Sequence, residues 1–526
     1  MEKLFLGIEL GSTRIKSVAI NERYEPVAIG GHVWENRLEN GIWTYRLSDV
    51  WEGLRDSYAN LAADYKKKLG KPLTNISSMG ISAMMHGYLP LDATGEPLTE
   101  FRTWRNTNTK EAAHKLSELF NFNIPLRWSI AHLYQSILNK ESHVKDISLI
   151  TTLAGYVHYK LTGEKVIGVG DASGMFPIAT GLGATAEGVF MYNPKMASDF
   201  DSLGTPISGG LKSIMPKVLN AGLEAGKLTE EGAALLDPTG QLKPGIRFCP
   251  PEGDAGTGMA ATNSVAERTG NVSAGTSVFA MLVLEKPLKE RHPVVDMVTT
   301  PDGKPVAMVH CNNGSSDLDA WVNLFAESAE VLSPGHKISK SDVYERLFNM
   351  ALKAEADAGG LMAVNYLSGE HNTGFAEGRP LFVRAPDARL NMANFMRAML
   401  YSFMATLKLG LDVLTVYEGV KISKLYGHGG FFAVKGPGQK LMASALNVPV
   451  AVMETANEGG AWGIAILAAY MESGKTNLSE FLEKDVFGNN TGNIENPCES
   501  GTAGFKKYME NFKKSLNIER AAVENL

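Results

Sequence analysis

Apolar and polar positions along the chain fall into runs of two periods. Leu4 to Leu10 is apolar and β-favouring and ends at Gly11-Ser12-Thr13, and a second run from Ile15 to Ile20 ends at Asn21-Glu22-Arg23. Pro26 to Val33 extends the pattern as a third strand. From Ser48 the period changes: Trp51, Leu54, Tyr58, Leu61 and Tyr65 share one face of a helix that Gly70 and Pro72 close. Strands feeding a helix predict an α/β fold.

The opening pattern recurs. Gly270 to Ala274 leads into Gly275-Thr276-Ser277 and then into the strand-like stretch Val278 to Leu284. Gly275 follows Gly11 by 264 positions, half of a 526-residue chain. The expected organisation is therefore two related α/β domains, 1–265 and 266–526, with a cleft between them. The boundary is placed at Val265 to Thr269, behind the glycine- and alanine-rich stretch Gly253 to Thr262. Beyond Ser473 the chain is more polar, and Phe505, Tyr508, Met509, Phe512 and Leu516 at helical spacing predict a docked C-terminal helix.

Composition narrows the classes. Hydrophobic residues at 44% and charged residues at 21% describe a chain with a core. A net charge of −6 without a basic run argues against nucleic acid as a partner. Cys249, Cys311 and Cys498 are too widely spaced for a metal knuckle or a disulfide framework, and each reads as a small buried hydrophobe in a reducing compartment. The N-terminus enters a strand without the regions of a signal peptide, and Val278 to Leu284 and Ala461 to Ala469 are too short to cross a bilayer. A cytoplasmic protein is expected. The 54 glycines, about 10% against a usual 7%, cluster in a few places.

Those clusters hold the candidate chemistry. A tight Gly-Ser-Thr or Gly-Thr-Ser turn between strands presents backbone N–H groups and hydroxyls to an anion, or is simply a β-turn; its recurrence favours the anion. Beside the first turn stand Glu9, a carboxylate suited to Mg²⁺ through water, and Arg14 and Lys16, suited to phosphate oxygens. In Pro250 to Gly258 a stiff approach and small residues flank Asp254, which reads either as a base for an acceptor hydroxyl or as the N-cap of a helix beginning at Ala255. Leu425 to Phe432 carries Gly429 and Gly430 after an apolar strand, where backbone can lie against a purine. Glu458 to Ala465 opens a small-residue helix expected to pack below it.

Together these residues resemble the FGGY carbohydrate kinases, a branch of the actin-like, ribonuclease-H-like ATPases, from residue 4 to about 470. The resemblance implies two such domains with ATP and sugar meeting in the cleft. By position, Glu9 with Gly11, Ser12, Thr13, Arg14 and Lys16 matches the first phosphate segment, Gly275, Thr276 and Ser277 the second, Gly429 and Gly430 the adenosine segment, and Asp254 the catalytic base. Ser82 to Gly87, with Met85 and His86, is similar to the Met-His-Gly sugar segment of xylulokinases, and Asp171 to Gly174 fits that branch. Trp104-Arg105-Asn106 stands where those kinases carry Trp-Asn-Asp. From the residues alone, His86 also reads as a structural histidine and Trp104 as core.

Three departures mark a divergent branch: Glu9 in place of aspartate, Gly-His-Gly-Gly-Phe-Phe at 427–432, and Ser368 to His371 in place of Gly-Glu-Arg. The resemblance thus implies an ATP- and Mg²⁺-dependent kinase for a ketopentose, xylulose before ribulose. Kinases of another ketose or polyol, a non-catalytic sugar or nucleotide sensor, and a chaperone-type or filament ATPase are the rival readings. The expected partners are a small sugar, ATP and at most a second copy of the chain, with no nucleic acid and no membrane.

Overall fold

The computed structural model describes residues 3–335, 338–453, 459–488, 490 and 492–526. The chain divides into two compact units: Met1–Val265 with Asp296–Val306 and Glu458–Asn489, and Ala266–Val295 with Ala307–Asn457 and Asn490–Leu526.

The first unit is built on a mixed sheet in which Leu4–Leu10 pairs antiparallel with Arg14–Ile20 and parallel with Ile76–Ala83, and Arg14–Ile20 pairs antiparallel with Pro26–Val33. The apolar alternation explains why: Leu4, Leu6, Ile8, Leu10 and Ile15 are buried in one core with Leu54, Tyr58, Leu61 and Tyr65 of the helix Leu47–Leu69. Gly70, left-handed at φ 69°, ends that helix with its N–H on the Lys66 carbonyl. The short strand Glu252–Gly253 adds to Ile76–Ala83 and runs directly into the helix Asp254–Ala261.

The second unit repeats the device. Thr269–Ala274 pairs antiparallel with Val278–Val283 and parallel with Lys424–His428, in the sheet order Pro305–Cys311, Val278–Val283, Thr269–Ala274, Lys424–His428, Val450–Val452, Asn493–Glu495. The helix Glu499–Asn525 docks through Phe505, Tyr508, Met509 and Phe512, and the buried Tyr508 hydroxyl contacts the Ala363 and Ala398 carbonyls at 3.3 Å. The helix Met392–Asp412 and the turn after it form one stretch, Met392–Tyr417, long and apolar enough to cross a membrane by length and composition. It is two-thirds buried inside the protein, holds Arg397 inward on three backbone carbonyls, and reads as a core helix.

Two sequence expectations need correction. A single crossing between 1–265 and 266–526 does not describe the chain, which returns to the first unit at Asp296–Val306 and again at Glu458–Asn489. Consequently the helix Gly459–Ser473 does not pack below Gly429 and Gly430 but on the first unit's sheet (Glu458 lies outside the described residues). The physical reason is space: a Cβ at Gly7 would stand 2.0 Å from the Ala461 carbonyl oxygen, and one at Gly80 would stand 2.6 Å from Ile464. The two glycines open the groove that the helix fills. Cys249 and Cys311 are buried as expected, whereas Cys498 lies at the surface.

Candidate active site

In the first unit the turn after Leu10 closes with the Gly11 N–H on the Arg14 carbonyl at 3.0 Å. Its other carbonyls are taken from outside. Trp34 Nε1 donates to Gly11 at 2.7 Å, the Tyr45 hydroxyl donates to Ser12 at 2.6 Å, and the Trp34 N–H donates to Thr13 at 3.2 Å. Trp34 and Tyr45 stack on each other, and Ser12, Thr13 and Arg14 remain exposed. A turn braced behind its carbonyls presents hydroxyls outward, as an anion requires.

Glu9 precedes this turn and pairs across the strands with Lys16. Its carboxylate accepts the Ala461 N–H at 3.2 Å at the N-terminal end of the helix Gly459–Ser473, where the helix dipole favours an anion. A Cβ at Gly460 would lie 2.4 Å from Glu9 Oε1, so only glycine leaves room for the acid. Burial, then the nearby Asp254 charge, push Glu9 up to about 7 against the pull of these N–H groups and Lys16.

Asp254 is the first residue of its helix, and Gly253 is the cap residue, so the helix-cap alternative does not describe it. Its Oδ1 instead accepts the Met85 N–H at 3.1 Å, which ties the acid to the Met-His-Gly segment. The residue is exposed to solvent, yet surrounding protein raises its carboxyl above the usual range, with the Met85 N–H opposing.

His86 follows in the left-handed region at φ 72°, a conformation that side chains other than glycine adopt at some cost. Its Nδ1 lies 3.2 Å from the Gly174 carbonyl, so that nitrogen donates and Nε2 is left as an acceptor. A Cβ at Gly174 would strike both His86 Nδ1 and Met85 Cε. Burial, aided by the Arg127 charge, holds His86 well below its usual range and therefore neutral.

The bridge between Tyr88 and Arg102 brings the Trp104 segment alongside His86. Trp104 is 40% exposed and is not core. Arg105 lays its guanidinium over the Trp43 ring, 3.8 Å from the centroid. Asn106 is buried and clamps Trp43: its Oδ1 accepts the Trp43 N–H at 2.9 Å, and its Nδ2 donates to the Trp43 and Thr103 carbonyls at 2.8 and 3.0 Å. Both amide protons are thereby committed to backbone. Trp43, Trp34 and Tyr45 had no signal in sequence, because nothing in their spacing says which turn or which arginine they brace.

Sequence reasoning also passed over Glu252 as a buried acid. Its carboxylate accepts the Gly170 and Asp171 N–H groups at 3.2 and 2.9 Å.

In the second unit the turn closes with the Gly275 N–H on the Ser277 carbonyl at 3.0 Å. Ser315 N–H and Oγ donate to the Gly275 carbonyl at 2.7 and 3.0 Å, and Gly314 N–H donates to the Thr276 carbonyl at 2.8 Å. Gly429, left-handed at φ 94°, lies so close that a Cβ would be 2.6 Å from the Ala274 carbonyl. Gly430 lines a cavity of about 660 Å³ with apolar walls from Leu318, Tyr344, Phe348 and Phe431 and polar groups from Asp319 and Asn349. The Tyr344 hydroxyl donates to Asp319. Ser315 belongs both to the cavity wall and to the bracing of the turn that carries Thr276 and Ser277.

The strand–turn–strand device thus occurs twice, once beside a cavity with apolar walls and once beside buried acids. The family models supply the class: the N-terminal domain of the FGGY family of carbohydrate kinases matches residues 4–239, and its C-terminal domain matches 270–472. The chain belongs to that family and is an ATP-dependent sugar kinase. It is 22% identical to a xylulose kinase of Haemophilus influenzae, over 89% of this chain and 90% of that one. It is 21% identical to a gluconokinase of Bacillus licheniformis over 99% and 96%. Its fold matches the ligand-bound xylulose kinase structure from Lactobacillus acidophilus at a TM-score of 0.76, with 17% identity and 98% of both chains covered.

Proposed function

We propose that this chain is a cytoplasmic, Mg²⁺-dependent kinase whose acceptor is a ketopentose, xylulose first and ribulose second. The observation that carries the reading is the 3.1 Å hydrogen bond from the Met85 N–H to Asp254, which holds a reactive acid against the Met-His-Gly segment that resembles xylulokinases. A matched xylulose kinase supports it.

In this reading Asp254 accepts the proton of the sugar hydroxyl as its oxygen bonds to the γ-phosphorus of ATP, and the bond to the β–γ bridging oxygen breaks, releasing ADP. His86, with Nε2 as acceptor, and Met85, Trp104, Arg105 and Asn106 form the sugar side, Asn106 acting through Trp43 and Arg105. Gly11 to Lys16 and Gly275 to Ser277 hold phosphate, and Gly429 and Gly430 hold adenosine. Glu9 suits Mg²⁺ through water, since its half-buried carboxylate keeps an oxygen donor close to Asp254 and to the turn. When bound, the ion neutralises charge on the phosphates.

A second reading has its own observation. Arg105 makes no ion pair among the described residues, and its stacked guanidinium suits a carboxylate, as in the gluconate that a gluconokinase takes by name. Sugar-dependent ADP release over ketopentoses, polyols and gluconate tests both. Xylulose or ribulose as the preferred acceptor supports the first reading. Preference for gluconate, lost in Arg105→Gln, replaces it with the second.

A further inference from the structure

Away from both turns, the second unit buries an acid that the reaction as written leaves unused. Asp317 lies in the first turn of the helix Ser316–Leu332 and is 9% exposed. It makes no ion pair among the described residues; burial pushes its carboxyl up, with the Trp321 side chain one turn on opposing. The helix dipole favours an acid in a first turn, but that effect is small beside the loss of water around a buried carboxylate. An acid in this position is ordinarily matched by a cation.

Asp317 is one wall of a second cavity, of about 210 Å³. The other walls are Ala320, Trp321 and Leu324 of the same helix, and Pro380, Leu381 and Phe382 at the start of the strand Leu381–Arg384. Phe395 fixes the two aromatic walls, standing edge-on to Trp321 at 5.0 Å and tilted against Phe382 at 5.1 Å between ring centroids. This cavity shares no lining residue with the larger one, which Leu318 and Asp319 of the same helical turn face.

The lining selects its ligand by charge and by polarity. Asp317 is its one charged side chain, so an anion is repelled. A hard metal ion needs several oxygen donors, and the lining offers a single carboxylate. A neutral molecule leaves the acid uncompensated. A cation that carries apolar carbon meets both demands, since its head pairs with the carboxylate while its stem lies among aliphatic and aromatic walls that also attract positive charge.

We propose that this cavity is a binding site for a small primary alkylammonium ion, with Asp317 taking the ammonium group and Trp321, Leu324 and Phe382 taking the stem. The site stands apart from the phosphoryl transfer and does not depend on the reading of Asp254.

The test is calorimetric titration of the full-length protein with n-butylammonium at neutral pH and constant ionic strength, with n-butanol as the uncharged twin. Saturable binding of the ammonium and none of the alcohol is expected. Asp317→Asn should weaken that binding by about ten- to a hundredfold, the range for a hydrogen bond to a charged group. A purely helix-stabilising Asp317 predicts a lower melting temperature in the variant and a flat titration of the wild type, and a flat wild-type titration overturns the proposal. Equal affinity for the ammonium and the alcohol also overturns it, because the cavity is then an apolar gap. If Asp317→Asn does not fold, Ala320→Lys is measured instead: it sets an ammonium of the chain's own three residues from Asp317 and should abolish butylammonium binding while raising the melting temperature. Unchanged binding in that variant counts against the site. Self-association that depends on Asp317, without butylammonium binding, would assign the cavity to a lysine of a second copy and replace the proposal.

Discussion

The two units carry the same strand–turn–strand device with different contents. In the first, Glu9 pairs across with Lys16, and four residues, Gly11 to Arg14, make the loop. In the second, the pair is Ser273 with Phe279, and the loop is one residue shorter. The first turn is braced by the indole and phenol of Trp34 and Tyr45, and the second by Gly314 and Ser315, whose loop Asn365 holds through two backbone carbonyls. Buried acids gather behind the first: Glu9, Asp171 and Glu252 are all held high by burial. The second faces a cavity with apolar walls and the charged side chains of Asp319, Glu345 and Lys435 in its lining, and has the buried acid Glu370 on the Asn313 N–H beside its bracing loop. The same turn thus has several buried acids behind it in one unit and a cavity with mainly apolar walls beside it in the other, and in the proposed reading this separation lets proton chemistry and nucleotide binding be altered independently.

The largest test of that separation is Asp254→Asn. The amide cannot accept the hydroxyl proton, so kcat should fall by about 10² to 10⁴, with the ATP KM and melting temperature nearly unchanged. Next is Gly314→Ala in the second unit's turn. Its new Cβ would stand 2.2 Å from the Gly275 carbonyl, and displacing the turn should lower kcat/KM for ATP by about ten- to a hundredfold. The sugar KM should stay put; equal losses for both substrates would break the comparison. Glu9→Gln should raise the Mg²⁺ concentration for half-maximal activity about tenfold, a typical cost of losing a group that acts on a metal through water. A magnesium titration identical to wild type would remove Glu9 from that role.

The smallest effect concerns acid stability. His158, fully buried with Nε2 on the Ala225 carbonyl at 2.8 Å, is depressed by burial to about 4 from 6.5. Its folded pKa is lowered, so the unfolded state binds the proton first. Stability present above pH 6.5 is lost as pH falls from 6.5 towards 4, by at most about 1.4 kcal/mol per pH unit. His158→Gln should flatten the fall in melting temperature between pH 7 and 5, and a parallel curve would assign the acid sensitivity elsewhere.

How much of this was legible in the residues follows from range. The helix Leu47–Leu69, its glycine stop and the terminal helix are local patterns, readable from period and punctuation. The paired turns were readable because the same short pattern occurs twice. The destination of Gly459–Ser473 was not: nearly all of its residues are buried, so no polar face tells which surface it covers. Asp171 was legible only as part of the Asp171–Gly174 segment and Glu252 looks in sequence like any acid; only the fold reveals that no cation among the described residues meets either. Asn106 was expected at the sugar from its place in the segment, whereas its amide protons are taken by carbonyls that the sequence leaves out of sight.

The return of Gly459–Ser473 to the first unit has a consequence during synthesis. Leu4 to Val265 leaves the ribosome nearly two hundred residues before the helix that fills the groove at Gly7 and Gly80. At about 5 to 20 residues per second, that groove waits on the order of 10 to 40 s with its apolar floor uncovered. The nascent first unit is therefore an incomplete, sticky body through that interval. A chain cut after Val265 should behave like an arrested intermediate, dependent on a chaperone or prone to aggregate, rather than like a free-standing domain.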